Sequence, residues 1–200
     1  MNILSFMGSP RLKGNTDILL DHILKGAKLK GANVKKVKLI TLKYRGCIEC
    51  GECENDGICS LKDDFSPFYK DIISSDVIII ASPIFFYNIT SLTQMVIERA
   101  QALWIAKYRL NKAITNQSNQ SRIGIFVAVG ATKGQRLFDG PNLVVKYFFD
   151  AIGVKKVSSF LVKGVEKKGD ILKQKELLDD AIKFGEEIFE SNLRDRLIVL

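Results

Sequence analysis

Apolar positions along the chain fall into two rhythms. The runs Asn2 to Met7, Val77 to Ala81 and Ile123 to Val129 are almost wholly apolar and end in glycine- or proline-containing loops, which predicts strands covered on both faces. Val34 to Ile40 sets lysines between Val37 and Leu39, the pattern of a strand wet on one side, and Val157 to Val162 is a strand of mixed polarity. Between the strands the period lengthens. Leu19, Ile23 and Ala27 share one helical face that Gly31 ends, and Met95, Val96, Ala100, Leu103 and Trp104 predict one amphipathic helix from Leu92 to about Lys107, with Trp104 in the core. Pro141 suits the first turn of a helix running to Gly153, and Leu177, Leu178, Ala181, Ile182, Ile188 and Phe189 define a closing helix. Asp63 and Asp64 precede the apolar-periodic segment Phe65 to Ile73 and suit its N-terminus as caps. The polar run Asn116 to Ser121 reads as a surface connection.

Five strands alternating with five helices predict an α/β fold, a doubly wound parallel sheet with helices on both faces. The wet second and fifth strands belong at the edges, which gives the flavodoxin-like five-stranded order 2-1-3-4-5, with ligands bound beyond the carboxyl ends of the strands. At 200 residues and 46% hydrophobic, residues 1–200 are read as a single domain.

The net charge of +8 states only the sign of a partner. The lysines are scattered over helix faces and strands, the pattern of a solvated surface, so nucleic-acid binding is not expected. No run is long enough to span a membrane, and Met1 to Pro10 lacks the basic flank of a secretion signal. All four cysteines fall between Cys47 and Cys59, which points to metal or redox chemistry in the cytoplasm rather than to a disulfide framework.

The loop Gly8 to Thr16 places Ser9, Arg11, Gly14, Asn15 and Thr16 at a helix N-terminus, where orphan N–H groups favour a phosphate. It departs from a Walker A loop in the glycine spacing and in carrying Asn15-Thr16 where the lysine should stand. A single phosphate fits better than a triphosphate. No G-x-G-x-x-G follows a strand, so a dinucleotide fingerprint is lacking. The alternative is a helix start capped by Ser9 and Thr16 for the backbone's sake alone. Pro83, Ile84, Phe85, Asn88 and Ile89 follow a central strand in an aromatic loop able to wall a flat ring, or else to plug the core. Gly130, Ala131, Thr132 and Gly134 would supply a third side with close backbone approach. Phosphate, polar linker and flat ring together describe FMN. The one histidine, His22, lies on the first helix, expected at the surface, and supports no catalytic triad; no catalytic side chain is expected, since the redox chemistry is the cofactor's.

The cysteine-rich loop, residues 43–62, carries Cys47, Cys50, Cys53 and Cys59 in the spacing C-x2-C-x2-C-x5-C. Three thiols within one tight loop favour a 4Fe-4S cluster, as in cluster-binding ferredoxins; zinc and cluster-free thiols stay open as alternatives.

These motifs resemble those of the iron-sulfur flavoproteins, a branch of the multimeric flavodoxin-like, NADPH-dependent FMN reductase superfamily. Gly8-Ser9-Pro10-Arg11 with Gly14-Asn15-Thr16 is similar to that family's FMN phosphate loop, and the four cysteines to its compact cluster motif. Ser82-Pro83-Ile84 with Asn88-Ile89, and Gly130 to Gly134, resemble its two flavin-ring loops. The resemblance implies a homo-oligomer, a dimer or a dimer of dimers, in which FMN and a 4Fe-4S cluster exchange electrons. It also implies a ferredoxin-type electron donor and leaves the acceptor unknown. The alternatives are an NAD(P)H-dependent FMN or quinone reductase whose cysteines hold zinc or no metal, and a basic interaction module that binds nucleic acid.

Overall fold

The computed structural model describes residues 1–114, 122–190 and 193–200. The chain runs through β1 (Asn2–Met7), α1 (Asn15–Leu29), β2 (Asn33–Lys38), the short α2 (Cys53–Asp56), α3 (Phe68–Ser74) and β3 (Val77–Pro83). It continues through α4 (Ser91–Arg99), α5 (Gln101–Tyr108), β4 (Ile123–Gly130), α6 (Asp139–Ala151), β5 (Lys156–Lys163), α7 (Lys175–Glu187) and β6 (Arg196–Val199). The strands pair in parallel in the order β2-β1-β3-β4-β5-β6. This is a flavodoxin-like α/β sheet.

Strand alternation sorts the core into two layers. Val77, Ile79 and Ala81 of β3 pack with α1 and α7 on one face, and Ile78 and Ile80 pack with α3 to α6 on the other. Each fully buried isoleucine stabilises the fold by about 1.5–3 kcal/mol, and neither face of β3 reaches solvent. The uniformly apolar run is thereby explained.

Three expectations need correction. The sheet has six strands, not five: β6 pairs with β5 at Phe160 to Lys163, so the fifth strand is not an edge. The polarity of β5 has another cause. Asp195 accepts hydrogen bonds from the Ser159 N–H (2.6 Å), the Ser159 hydroxyl (3.0 Å) and the Ser158 hydroxyl (3.2 Å). Those serines serve a loop carboxylate rather than water.

The helix expected from Leu92 to Lys107 is broken at Ala100 into α4 and α5. Ala102, Leu103, Ile105 and Ala106 then face the core, and Trp104 is left half-buried against Tyr108, ring centroids 5.6 Å apart. Asp63 and Asp64 do not cap α3, which begins only at Phe68. Asp64 accepts from the Lys43 N–H (2.7 Å), and Asp63 from the Phe65 N–H (3.1 Å) and from Arg99. The connection expected over 116–121 lies outside the described residues.

Candidate functional site

Two cavities gather most of the residues singled out in the sequence. The first is a cleft of about 220 Å3 beyond the carboxyl ends of β1, β3, β4 and β5. Ser9, Arg11, Gly14, Asn15, Thr16, Pro83, Ile84, Phe85 and Ala131 line it; Asn88, Ile89, Gly130, Thr132 and Gly134 do not.

The local folding of the first loop explains its opening. The Gly8 N–H donates to Ala81 (2.7 Å), and a Cβ at Gly8 would run into the Thr93 hydroxyl, so the loop lies tight against α4. The Ser9 hydroxyl accepts the Arg11 N–H at 3.1 Å, which holds the turn. Helix α1 starts from Gly14 with no side-chain cap, and its first intrahelical bond is from the Ile18 N–H to Gly14 (2.9 Å). Its first-turn N–H groups lack intrahelical acceptors and face the loop end of the sheet. Ser9 and Thr16 are therefore not caps; the helix end is left open for an anion. Asn15 has a structural task as well, since its amide donates to the Lys167 carbonyl (2.9 Å) and accepts from the Gly169 N–H (2.9 Å).

The second loop is a two-residue hairpin. Phe85 and Asn88 exchange backbone hydrogen bonds of 2.8 and 2.9 Å, and Phe86 and Tyr87 between them have φ of 50° and 60°. Both tip residues are left-handed, as a type I′ turn requires, though neither is the glycine or asparagine that such a turn favours. Pro83, Ile84 and Phe85 reach the cleft, Ile89 is buried in the core, and the Asn88 side chain accepts from the Ile89 N–H (2.8 Å). Thr90 ties the loops together: its hydroxyl donates to the Gly8 carbonyl (2.7 Å), while its N–H reaches the Ser82 hydroxyl (3.0 Å). In the third loop Gly130 packs under Leu137 and Gly134 under the Tyr87 hydroxyl, while buried Lys163 donates to the Gly134 carbonyl (2.6 Å).

Val165, Glu166 and Lys168 also line the cleft and were missed in the sequence. Their signal was position, since they follow a strand at the loop-bearing end of the sheet. The uncapped helix end beside apolar Pro83, Ile84, Phe85 and Val129 suits a phosphate joined to a flat ring, and so the residues present fit FMN. His22 bonds through Nδ1 to the Ile18 carbonyl (2.8 Å) and takes no part.

The second cavity, of about 150 Å3, is lined by Cys47, Cys50, Cys53 and Cys59 together, closed from behind by Arg99, Gln101, Ala102, Ile105 and Arg109. All four thiols are free. Gly51 and Gly57, with φ of 78° and 76°, bend the loop, and Gly57 packs so closely on Ala106 that a Cβ would come within 2.7 Å of it. Arg109 bonds Glu54 (2.9 Å) and Lys112 bonds the Asp56 carbonyl (2.7 Å), which fastens α2 to α5. The Ser60 hydroxyl, 3.3 Å from Cys50, and the Glu52 backbone lower the Cys50 thiol's pKa. Burial raises that of Cys53, as do Cys59, Cys47 and Cys50 nearby. Among the described residues no three His, Cys, Asp or Glu side chains converge on a single ion position; the thiols surround a volume instead.

Arg99 was also missed. Its side chain is fully buried at the end of α4, where Nη1 donates to Asp63 (2.7 Å) and to the Arg45 carbonyl (3.2 Å), and Nε to the Tyr69 hydroxyl (3.2 Å). Burial alone would raise the Asp63 carboxyl, but Arg99 holds it below the usual carboxylate range. Burial likewise opposes the charge on Arg99, and the bonds to Asp63 and Tyr69 outweigh it. Its Nη2 has no partner among the described residues. An unmade buried donor costs about 1–3 kcal/mol, more when charged. Four thiols and a buried guanidinium with one unused donor form a set suited to an anionic, sulfur-rich core. In the sequence Arg99 stands on the apolar stripe Val96, Ala100, Leu103, and that was its signal.

The fold is that of a flavodoxin-like protein, with a cleft at the carboxyl ends of its strands. Residues 1–139 match the sequence profile described as NADPH-dependent FMN reductase, and the chain belongs to that family. An iron-sulfur flavoprotein of Methanocaldococcus jannaschii is 29% identical over 133 residues, 66% of this chain and 64% of the relative. One from Archaeoglobus fulgidus is 34% identical over 99 residues, 50% of this chain and 45% of the relative. The chain thus spans less than two thirds of either relative's length. Among solved structures, the NAD(P)H:quinone oxidoreductase from Methanothermobacter marburgensis superposes with a TM-score of 0.68 over 96% of this chain and 98% of its own, at 12% identity, a likeness of fold. No helix among the described residues is long and apolar enough to cross a membrane.

Proposed function

We propose that the chain is an electron-transfer iron-sulfur flavoprotein that takes electrons from a ferredoxin-type donor through a 4Fe-4S cluster to FMN and on to an acceptor still to be identified. The observation that carries this reading is that all four cysteines line one cavity, apart from a cleft at the strand ends that suits FMN. Bound there, FMN supplies one- and two-electron chemistry and the cluster single-electron transfer.

Cys47, Cys50, Cys53 and Cys59 are the proposed cluster ligands, and the open N-terminus of α1 with Ser9 and Thr16 the phosphate seat. Pro83, Ile84 and Phe85 wall the ring and exclude water from it. Asn88, Ile89, Gly130 and Gly134 act behind that wall, by setting the path of the two loops, and Thr132 is exposed. A net charge of +8 supports docking of an acidic ferredoxin, because complementary charge raises encounter rates. Exposed Phe86, Leu143 and Tyr147 support assembly of a homo-oligomer. A reducing compartment such as the cytoplasm would keep the four thiols available.

The test is an iron, sulfide and flavin count on protein purified without oxygen, with about four irons per chain expected. A yellow protein that gains no iron or sulfide on reconstitution rejects the cluster. A second reading, an NAD(P)H-dependent FMN or quinone reductase with zinc or no metal at the cysteines, is favoured by the family description and by the exposure of Cys47 and Cys50. Rapid flavin bleaching by NADPH without response to reduced ferredoxin would select it.

A further inference from the structure

Arg99 has more buried donors than the described residues satisfy. Asp63, the Arg45 carbonyl and Tyr69 take three of its hydrogen bonds, Phe65 and Tyr69 present their rings at 5.4 and 5.7 Å from the guanidinium carbon, and Nη2 is left over. The same side chain lines the cysteine cavity, and both it and the Tyr69 hydroxyl interact with Cys59. Asp63 balances its charge, but nothing among the described residues takes the Nη2 donor. Arg109 lines the cavity too, yet it is more than half exposed and paired with Glu54, so water screens it.

We infer that Arg99 is a cofactor-binding residue of the cysteine cavity, its free Nη2 donating to the sulfur of the group that Cys59 and the other three thiolates hold. The inference rests on the reading of that group as an iron-sulfur cluster. A buried guanidinium on one side of an anionic core stabilises the more negative of its two states, because the field is poorly screened there. Each electron taken up from a ferredoxin-type donor makes the core more negative, and Arg99 accordingly raises its reduction potential. The residue also ties the cavity to the fold through Asp63, on the segment that leads from the last cysteine into α3.

The experiment is an EPR-monitored redox titration of the anaerobically purified, full-length protein, with iron, sulfide and FMN counted in the same samples. Arg99→Gln is expected to lower the equilibrium constant for cluster reduction about tenfold or more, about 59 mV for one electron, with FMN content unchanged. Arg109→Gln should give a much smaller shift. Asp63→Asn, which keeps the guanidinium and removes its counter-charge, should move the potential the opposite way, whereas simple loosening of the cavity would move both variants together. If Arg99→Gln does not fold, Asp63→Asn decides, and an upward shift supports the inference. An unchanged potential in either folded variant, shifts of one sign in both, or an equal effect of Arg109→Gln overturns it while the cluster reading stands. A wild-type chain that takes up no iron and sulfide overturns both.

Discussion

The cleft at the strand ends and the cysteine cavity are built by opposite means. The cleft is a product of topology: four parallel strands end on one side of the sheet, and an uncapped helix start with three further loops encloses the space between them. Backbone contributes to its polar lining through the open N-terminus of α1, beside the side chains of Ser9, Arg11, Asn15, Thr16, Glu166 and Lys168. The cavity is a product of side chains, four thiols on a loop fastened to α5 and a buried guanidinium from the end of α4. A backbone site fails when the chain cannot approach closely enough, and a side-chain site fails when a single group is removed.

That contrast predicts its own largest effect. Replacing Cys53, which is partly buried, by alanine should reduce iron from about four per chain to below one, while FMN stays bound. Metal analysis beside the flavin spectrum reads it. Loss of both cofactors together would mean that the two sites are not independent.

Next comes Asp63→Asn, which leaves Arg99 buried without its counter-ion and should destabilise the protein by about 3–5 kcal/mol in denaturant titrations. The pH dependence has a definite sign. The folded-state pKa of Asp63 is depressed, so its contribution is present above the unfolded value near 4 and is lost as pH falls through the folded value. The gap between wild type and variant should be level at neutral pH and narrow under acid. A gap that widens on acidification would contradict the pairing.

On the cleft side, Gly14→Ala tests the backbone. A Cβ there would lie 2.9 Å from the Arg11 carbonyl, at the point where the chain turns into α1. FMN affinity should fall about tenfold, about 1.4 kcal/mol, with iron unchanged. Equal affinity by fluorescence titration would show that the open helix end does not bind the phosphate.

The same contrast explains what could be read in the sequence. The central strands were legible because residues covered on both faces leave an unbroken apolar run, and the cleft followed from where those runs end. The sixth strand was not, because the four residues Arg196–Val199 are too short a run to show a period and are fixed as a strand by pairing with β5 rather than by their own pattern. Arg99 was passed over because helical periodicity counts apolar positions, whereas its role depends on Asp63, 36 positions away. The break at Ala100 had no sequence signal at all, since alanine favours helix.

The smallest predicted effect lies at the hairpin tip, where cleft and surface meet. Phe86 is fully exposed and left-handed, so its side chain buries nothing in the monomer while its backbone is held in a region that costs an L residue about 1 kcal/mol or more. Such strain persists in functional loops when a neighbour compensates for it, and Tyr87 beside it does pack against Gly134. Phe86→Asn gives the turn a residue that tolerates this conformation and should stabilise the monomer by about 0.5–1 kcal/mol in chemical denaturation. If the phenyl ring also covers the flavin or contacts a second copy of the chain, the same variant should bind FMN more weakly or sediment as a smaller species. A variant that is more stable and unchanged in both respects would assign the Phe86 ring to neither role and leave Phe85 as the aromatic wall of the cleft.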